Sequence, residues 1–180
     1  VVNQRPDAQG WIAGPEDEDP AYATECHNLV RSLGLQEHIR FLGFQRVEAL
    51  MPQIGLVVLS SISEALPLVL LEGYAAGVPT VTTDVGSCRQ LVEGLDDEDR
   101  ALGHSGMVVP IADPQRLADA ALALLGDTAA WQAASQAAIA RVERYYTDTL
   151  MFARYRKVYE PALERTPPAP HAPGDPAWQA

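Results

Sequence analysis

Residues 60–72 read Ser-Ser-Ile-Ser-Glu-Ala-Leu-Pro-Leu-Val-Leu-Leu-Glu, and the reading of this stretch decides the fold. An apolar run, Gly55-Leu-Val-Val-Leu59, leads into it and has the composition of a buried strand. A short serine-rich segment follows. Pro67 then suits the start of a helix, because its φ is preset and it has no N–H to lose. Strand, polar loop and helix in that order form part of a βαβ unit. The stretch carries two glutamates, Glu64 and Glu72, eight positions apart, and Glu72 is the only charged residue between Ala65 and Thr83. A carboxylate in so apolar a segment needs a partner. A ligand would supply one.

The same alternation extends on both sides. Short apolar strands are predicted at Gly10–Gly14, Ile39–Gly43, Gly55–Leu59, Val78–Thr83 and Gly106–Pro110. Helices are predicted between them, over 20–33, 45–53, 68–76 and 88–92, with Asp19-Pro20 as a start signal and Gly77 and Pro79 as a stop. After the last strand the chain is read as helical, over 113–125, 128–145 and 149–164. Residues 93–105, with Asp96-Asp97-Glu98-Asp99, read as a solvated loop. The fold class is α/β: a parallel sheet covered by helices on both faces, plus C-terminal helices. In such a sheet ligands bind outside the carboxyl ends of the strands. Four loops are expected to converge there: Gly14-Pro15, Gly43-Phe44, Ser60 to Pro67, and Asp84 to Ser87.

Composition narrows the function. The 180 residues are 47% hydrophobic, with a net charge of −11 and a pI near 4.6. A globular chain this acidic is a poor partner for nucleic acid or for an anionic membrane face. The acidic run Glu16 to Asp19 lies at the positive end of the following helix, which favours carboxylates; nothing in it fixes a cation geometry. Cys26 and Cys88 lack metal-site spacing and fit free thiols in the cytosol, so a cytoplasmic protein is expected, with no metal. No signal peptide or bilayer-spanning segment is evident. The opening Val1-Val2-Asn3 reads as the middle of a longer protein.

The central stretch suggests a definite chemistry. If Pro67 begins a helix, the N–H groups of Leu68, Val69 and Leu70 are free to hold an anion such as a phosphate. Glu72, one turn further in, is badly placed for a phosphate but well suited to a vicinal diol, as on a ribose. Glu64, before the helix, would meet what the phosphate carries. Plainer readings pair Glu72 with Arg89 or Arg46, use Glu64 to cap the helix, and leave Ser60, Ser61 and Ser63 to satisfy turn backbone.

The run Ser63-Glu64, through Pro67 to Glu72, then Ala76-Gly-Val-Pro79 and Thr83-Asp-Val-Gly86, resembles the donor half of the retaining GT-B glycosyltransferases of family 4, with their Glu-x7-Glu motif. Phe41-Leu42-Gly43 fits as well, and the resemblance spans roughly residues 10–160. The wording at 14–22, 59–73, 82–91 and 141–146 is similar to the branch that makes Pel exopolysaccharide. The resemblance implies a Rossmann-like domain over 1–146 that lacks its first βα unit, a crossover helix over 147–164, and a disordered Pro-rich tail over 165–180. It implies a UDP-sugar as donor substrate and no cofactor or metal. By resemblance Glu64 contacts the donor sugar at the reacting centre, and Glu72 binds the ribose. The same resemblance puts the amides of Leu68 and Val69 at the diphosphate, Gly43 and Phe44 by the uracil, and Ser63, Pro67, Gly14 and Gly86 on the donor.

The saccharide acceptor would bind an N-terminal domain outside this segment, and an inner-membrane polysaccharide synthesis complex is the expected assembly. The cationic diphosphate contacts also fall outside; Arg46 and Arg89 are the nearest arginines and match no family motif. Ala65 and Leu66 replace the family's usual glycine and phenylalanine, which implies a stiffer loop and altered sugar selection. Two other classes fit the same residues: an epimerase-like UDP-sugar enzyme, and a nucleotide-binding module without catalysis.

Overall fold

The computed structural model describes residues 1–163; the Pro-rich tail expected over 165–180 lies outside the described residues. Five parallel strands form: β1 (Gly10–Ala13), β2 (Ile39–Gly43), β3 (Val57–Leu59), β4 (Thr80–Thr83) and β5 (Gly106–Val109). The helices are α1 (Pro20–Ser32), α2 (Val47–Leu50), α3 (Leu68–Ala75), α4 (Cys88–Glu93), α5 (Asp97–Arg100), α6 (Pro114–Gly126), α7 (Thr128–Tyr145) and α8 (Asp148–Leu163). Helix α1 starts as its sequence dictates: the Asp19 side chain accepts from Tyr22 N at 3.0 Å, with Pro20 next.

One point differs from the expected single sheet. The strands fall into two parallel sheets, β1–β2 and β3–β4–β5. The connection from β2 to β3 contains only the four-residue α2 and a 3-10 turn, Met51–Gln53. Among the described residues no backbone hydrogen bond joins either strand of the first sheet to β3. Coverage differs too. β4 is buried on both faces, with Thr80, Val81 and Thr82 fully inaccessible. β1–β2 is less covered: Ile12 and Arg40 are exposed, and α1 contributes no fully buried residue.

The core lies under β4 and β5. Val81 and Val109 pack with Ala120, Ala121 and Leu124 of α6 and Ala134 of α7. On α3, Leu70 and Tyr74 are completely buried. Gly73 lets this helix approach β3, since a Cβ there would stand 2.9 Å from Val57 Cγ2. Overpacking of this kind costs roughly 1–3 kcal/mol. Gly73→Ala is therefore expected to lower the urea midpoint of the full chain with an unchanged m-value; an unchanged midpoint would show that α3 can retreat freely.

The expected solvated loop at 93–105 is a second correction. It contains α5, and Asp99 within it is 1% exposed. The reason is a long-range partner, Arg141 on α7, whose Nε donates to Asp99 Oδ1 at 2.6 Å. Its Nη groups donate to Val92 O, Asp99 O, Gly103 O and Ser105 Oγ. Five N–H donors thus have five acceptors, and the ion pair is fully sealed from water. Asp99 Oδ2 in turn accepts from Leu95 N at 2.9 Å.

The chain divides into two units, the first Val1–Arg144 and the second from Tyr145. Within the second, α8 exposes Met151, Phe152, Tyr155, Val158 and Tyr159, and the rings of Tyr155 and Tyr159 stack at 6.1 Å. No helix among the described residues is long and apolar enough to cross a membrane.

Candidate functional site

The loops at the carboxyl ends of the strands come together in two pairs, not as one group of four. Gly14 N donates to Gly43 O at 3.0 Å, which joins the loops after β1 and β2. Ser87 N donates to Ala65 O at 3.0 Å, which joins the loops after β3 and β4. Among the described residues no hydrogen bond links one pair to the other. The two-sheet arrangement is the cause, because each pair follows its own sheet.

The second pair holds the two glutamates. Pro67 is buried and stands at the N-cap of α3, with no side chain capping the helix. Leu70 N turns back to Pro67 O at 3.3 Å, so the expected trio of free amides is reduced to Leu68 and Val69. Leu68 is 63% exposed, which leaves this helix end open to solvent. Ser63 is exposed as well.

Glu72 is half-buried, and among the described residues its carboxylate has no hydrogen-bond or ion-pair partner, although its backbone carbonyl accepts from Ala76 N. The two arginines that might have neutralised it are taken. Arg89 grips Asp84 through Nη2 at 2.7 Å and reaches Glu93 through Nη1 at 2.6 Å. The Asp84 hydrogen bond is the main reason its pKa is raised above the ordinary guanidinium value. Arg46 lies 3.8 Å from Glu48 on an exposed surface. Glu64 does not cap α3. Its Oε1 accepts from Ser61 Oγ at 2.7 Å, and the residue is half-buried.

The first pair is less developed. Gly14 and Gly43 are partly covered, and Phe44 is 81% exposed. Glu16 from the acidic run bonds His27 Nε2 at 2.8 Å, and that ring lies on Phe41 with centroids 3.9 Å apart. An open groove is lined by Thr24, His27, Arg31, Ile39 and Phe41, and it includes neither Glu64 nor Glu72.

Sequence reasoning missed the residues that hold the Glu64 loop in place. Thr83 Oγ1 donates to Ser61 O at 2.5 Å, and Ser87 Oγ donates to Ala65 O at 2.7 Å. Gly86 adopts φ 51°, and a Cβ there would come within 2.3 Å of Glu64 O. Thr83 is legible as a strand end and Asp84 to Ser87 as the turn after it, but their cross-loop partners lie some twenty positions upstream. Local pattern carries no signal for that.

Parallel strands flanked by helices make a Rossmann-like domain, the architecture that solved GT-B glycosyltransferases share. A solved structure of Anabaena HepE in complex with UDP-glucose superposes with a TM-score of 0.72 at 24% identity, over 86% of this chain and 42% of that one. The profile of the family described as "Glycosyl transferases group 1" matches residues 1–127, and the chain belongs to that family. Among curated relatives, an exopolysaccharide phosphotransferase of Streptomyces coelicolor is 33% identical over 148 residues, which is 81% of this chain and 15% of that protein. The lipopolysaccharide core biosynthesis mannosyltransferase LpsB of Rhizobium meliloti is 31% identical over 144 residues, 79% of this chain and 39% of that protein. The chain thus spans well under half the length of either relative.

Proposed function

We propose that this chain is the donor-binding part of a retaining glycosyltransferase that transfers a sugar from a UDP-sugar to a growing exopolysaccharide, of the Pel-synthesising PelF type, in the cytoplasm. The observation that carries the reading is Glu72: a half-buried carboxylate without a partner, one turn inside a helix whose Leu68 and Val69 amides are open. The amides suit the diphosphate, and the Glu72 carboxylate suits the two ribose hydroxyls. Glu64, fixed by Ser61, meets the sugar. The UDP-glucose held by Anabaena HepE and the exopolysaccharide and lipopolysaccharide relatives support the donor class and the product class.

The chemistry follows from those positions. The bond from the anomeric carbon to the diphosphate oxygen lengthens first, and charge grows on the leaving diphosphate. Helix amides aimed at that oxygen stabilise it as it forms. Glu64 holds the sugar as it becomes oxocarbenium-like, and the acceptor hydroxyl arrives on the face the diphosphate leaves, bonds to the anomeric carbon and passes its proton to the departing diphosphate oxygen, which retains configuration. Arg89 contributes little positive field, because Asp84 and Glu93 balance its charge. Cationic contacts to the diphosphate are therefore not assigned to Arg89.

The test is calorimetric titration of the full chain with UDP. Hydrogen bonds to a charged group are worth roughly 1.5–3 kcal/mol, so Glu72→Ala is expected to weaken UDP binding by about 10- to 150-fold. An affinity for UDP that ignores this substitution, or no UDP binding by wild type, would sink the proposal.

A further inference from the structure

We infer that the turn after β4 is a positioning device for Glu64, with Gly86 and Ser87 as its working residues; this rests on the proposed role of Glu64 at the donor sugar. The first observation is what Ser87 does not do. It stands at the N-cap of α4, where a serine side chain ordinarily accepts from a backbone N–H of its own helix. Its hydroxyl makes no such bond. Instead it donates across the site to Ala65 O at 2.7 Å, and Ser87 N donates to the same carbonyl at 3.0 Å. A cap worth about 1 kcal/mol to α4 is forgone in favour of a doubled grip on the residue next to Glu64.

The second observation is the contact made by Gly86. At φ 51° it lies in the left-handed region that glycine enters at little cost. A Cβ at this position would stand 2.3 Å from Glu64 O and 2.7 Å from Ala65 O. The turn therefore presses bare backbone against the peptide that carries the glutamate. The third is the opposite end of the loop, where Thr83, 3% exposed, donates to Ser61 O. Ser61 in turn holds the Glu64 carboxylate. The segment 61–65 is thus fastened at both ends to one short stretch, 83–87, and Glu64 lies between the fastenings.

Such a lock matters for reaction more than for nucleotide affinity. Rates respond steeply to sub-ångström placement of a group at the reacting centre, whereas the ribose and diphosphate contacts assigned to Glu72 and the α3 amides lie outside the locked segment. In the full-length protein that carries this segment together with its acceptor-binding part, Ser87→Ala is expected to lower turnover of the accepted UDP-sugar, screened with UDP-glucose and UDP-N-acetylgalactosamine, by about tenfold, and Gly86→Ala by about a hundredfold. The dissociation constant for UDP stays within twofold in Ser87→Ala, and Ser87→Thr, which keeps the hydroxyl, recovers most of the turnover. Turnover of Ser87→Ala within twofold of wild type, with wild type binding UDP and turning over donor, would overturn the lock and leave the donor site standing. A parallel fall in turnover, UDP affinity and Tm without rescue by threonine would show a merely structural role and overturn it too. Failure of wild type to bind UDP would remove the donor site and the lock together.

Discussion

Replacing Glu64 by alanine is expected to lower sugar transfer by about 10²- to 10³-fold while UDP affinity stays within twofold of wild type, the size of loss seen when one group that stabilises transition-state charge is removed. The split between the two readouts follows from place. Glu64 lies before α3, in the loop held by Ser61, and takes no part in the helix amides or in Glu72. Removing it leaves the nucleotide contacts intact and strips the sugar of a fixed acceptor as its hydroxyls acquire positive character. Glu64→Gln keeps an oxygen that Ser61 can bond but loses the charge, so its turnover falls between wild type and alanine. The measurement is initial transfer rate at saturating donor beside a UDP titration. Equal turnover in wild type and Glu64→Ala would refute the role; equal losses in turnover and UDP affinity would move Glu64 into nucleotide binding.

Arg141→Ala is expected to destabilise the domain by about 3–5 kcal/mol, because it leaves the Asp99 carboxylate buried without its counter-charge. Asp99 is 1% exposed and Arg141 not at all, so water cannot take the place of the lost guanidinium without opening the structure. Four backbone and hydroxyl acceptors lose their donor in the same step: Val92 O, Asp99 O, Gly103 O and Ser105 Oγ. A domain of this size is stable by only about 5–15 kcal/mol, so the loss takes a large share. Urea denaturation of the full chain measures it. The double variant Arg141→Met with Asp99→Asn should be less destabilised than Arg141→Ala, since no lone buried charge remains. A double variant worse than Arg141→Ala would mean that packing, not charge, holds this corner.

Much of the architecture was legible in local pattern. Helix α7 matches its expected bounds, and α1, α6 and α8 each lie within a residue or two of theirs. Asp19 caps α1 through the side chain that the pattern assigned, and Asp113 caps α6 in the same way. The buried stripe of α7 was also readable in principle. Ala134, Ala137 and Ala138 are followed at helical spacing by Arg141, and an arginine on an alanine face signals a sealed partner. That its partner is Asp99 was not readable, because four consecutive acidic residues look alike until the fold buries one of them.

By itself the sequence determined the order of parallel strands and helices, the helix that starts at Pro67, and the two carboxylates on either side of that start. These depend on spacing, on proline geometry and on apolar runs, all of which act within a few residues. Only the tertiary structure decided how the site is assembled. It divided the strands into two sheets, occupied Arg89 with Asp84 and Glu93, left Glu72 unpaired, and fastened the Glu64 loop to Thr83 and Ser87. Each of these is a contact between segments well apart in the chain or a choice among competing partners, and both are set by packing, where local preference has no vote.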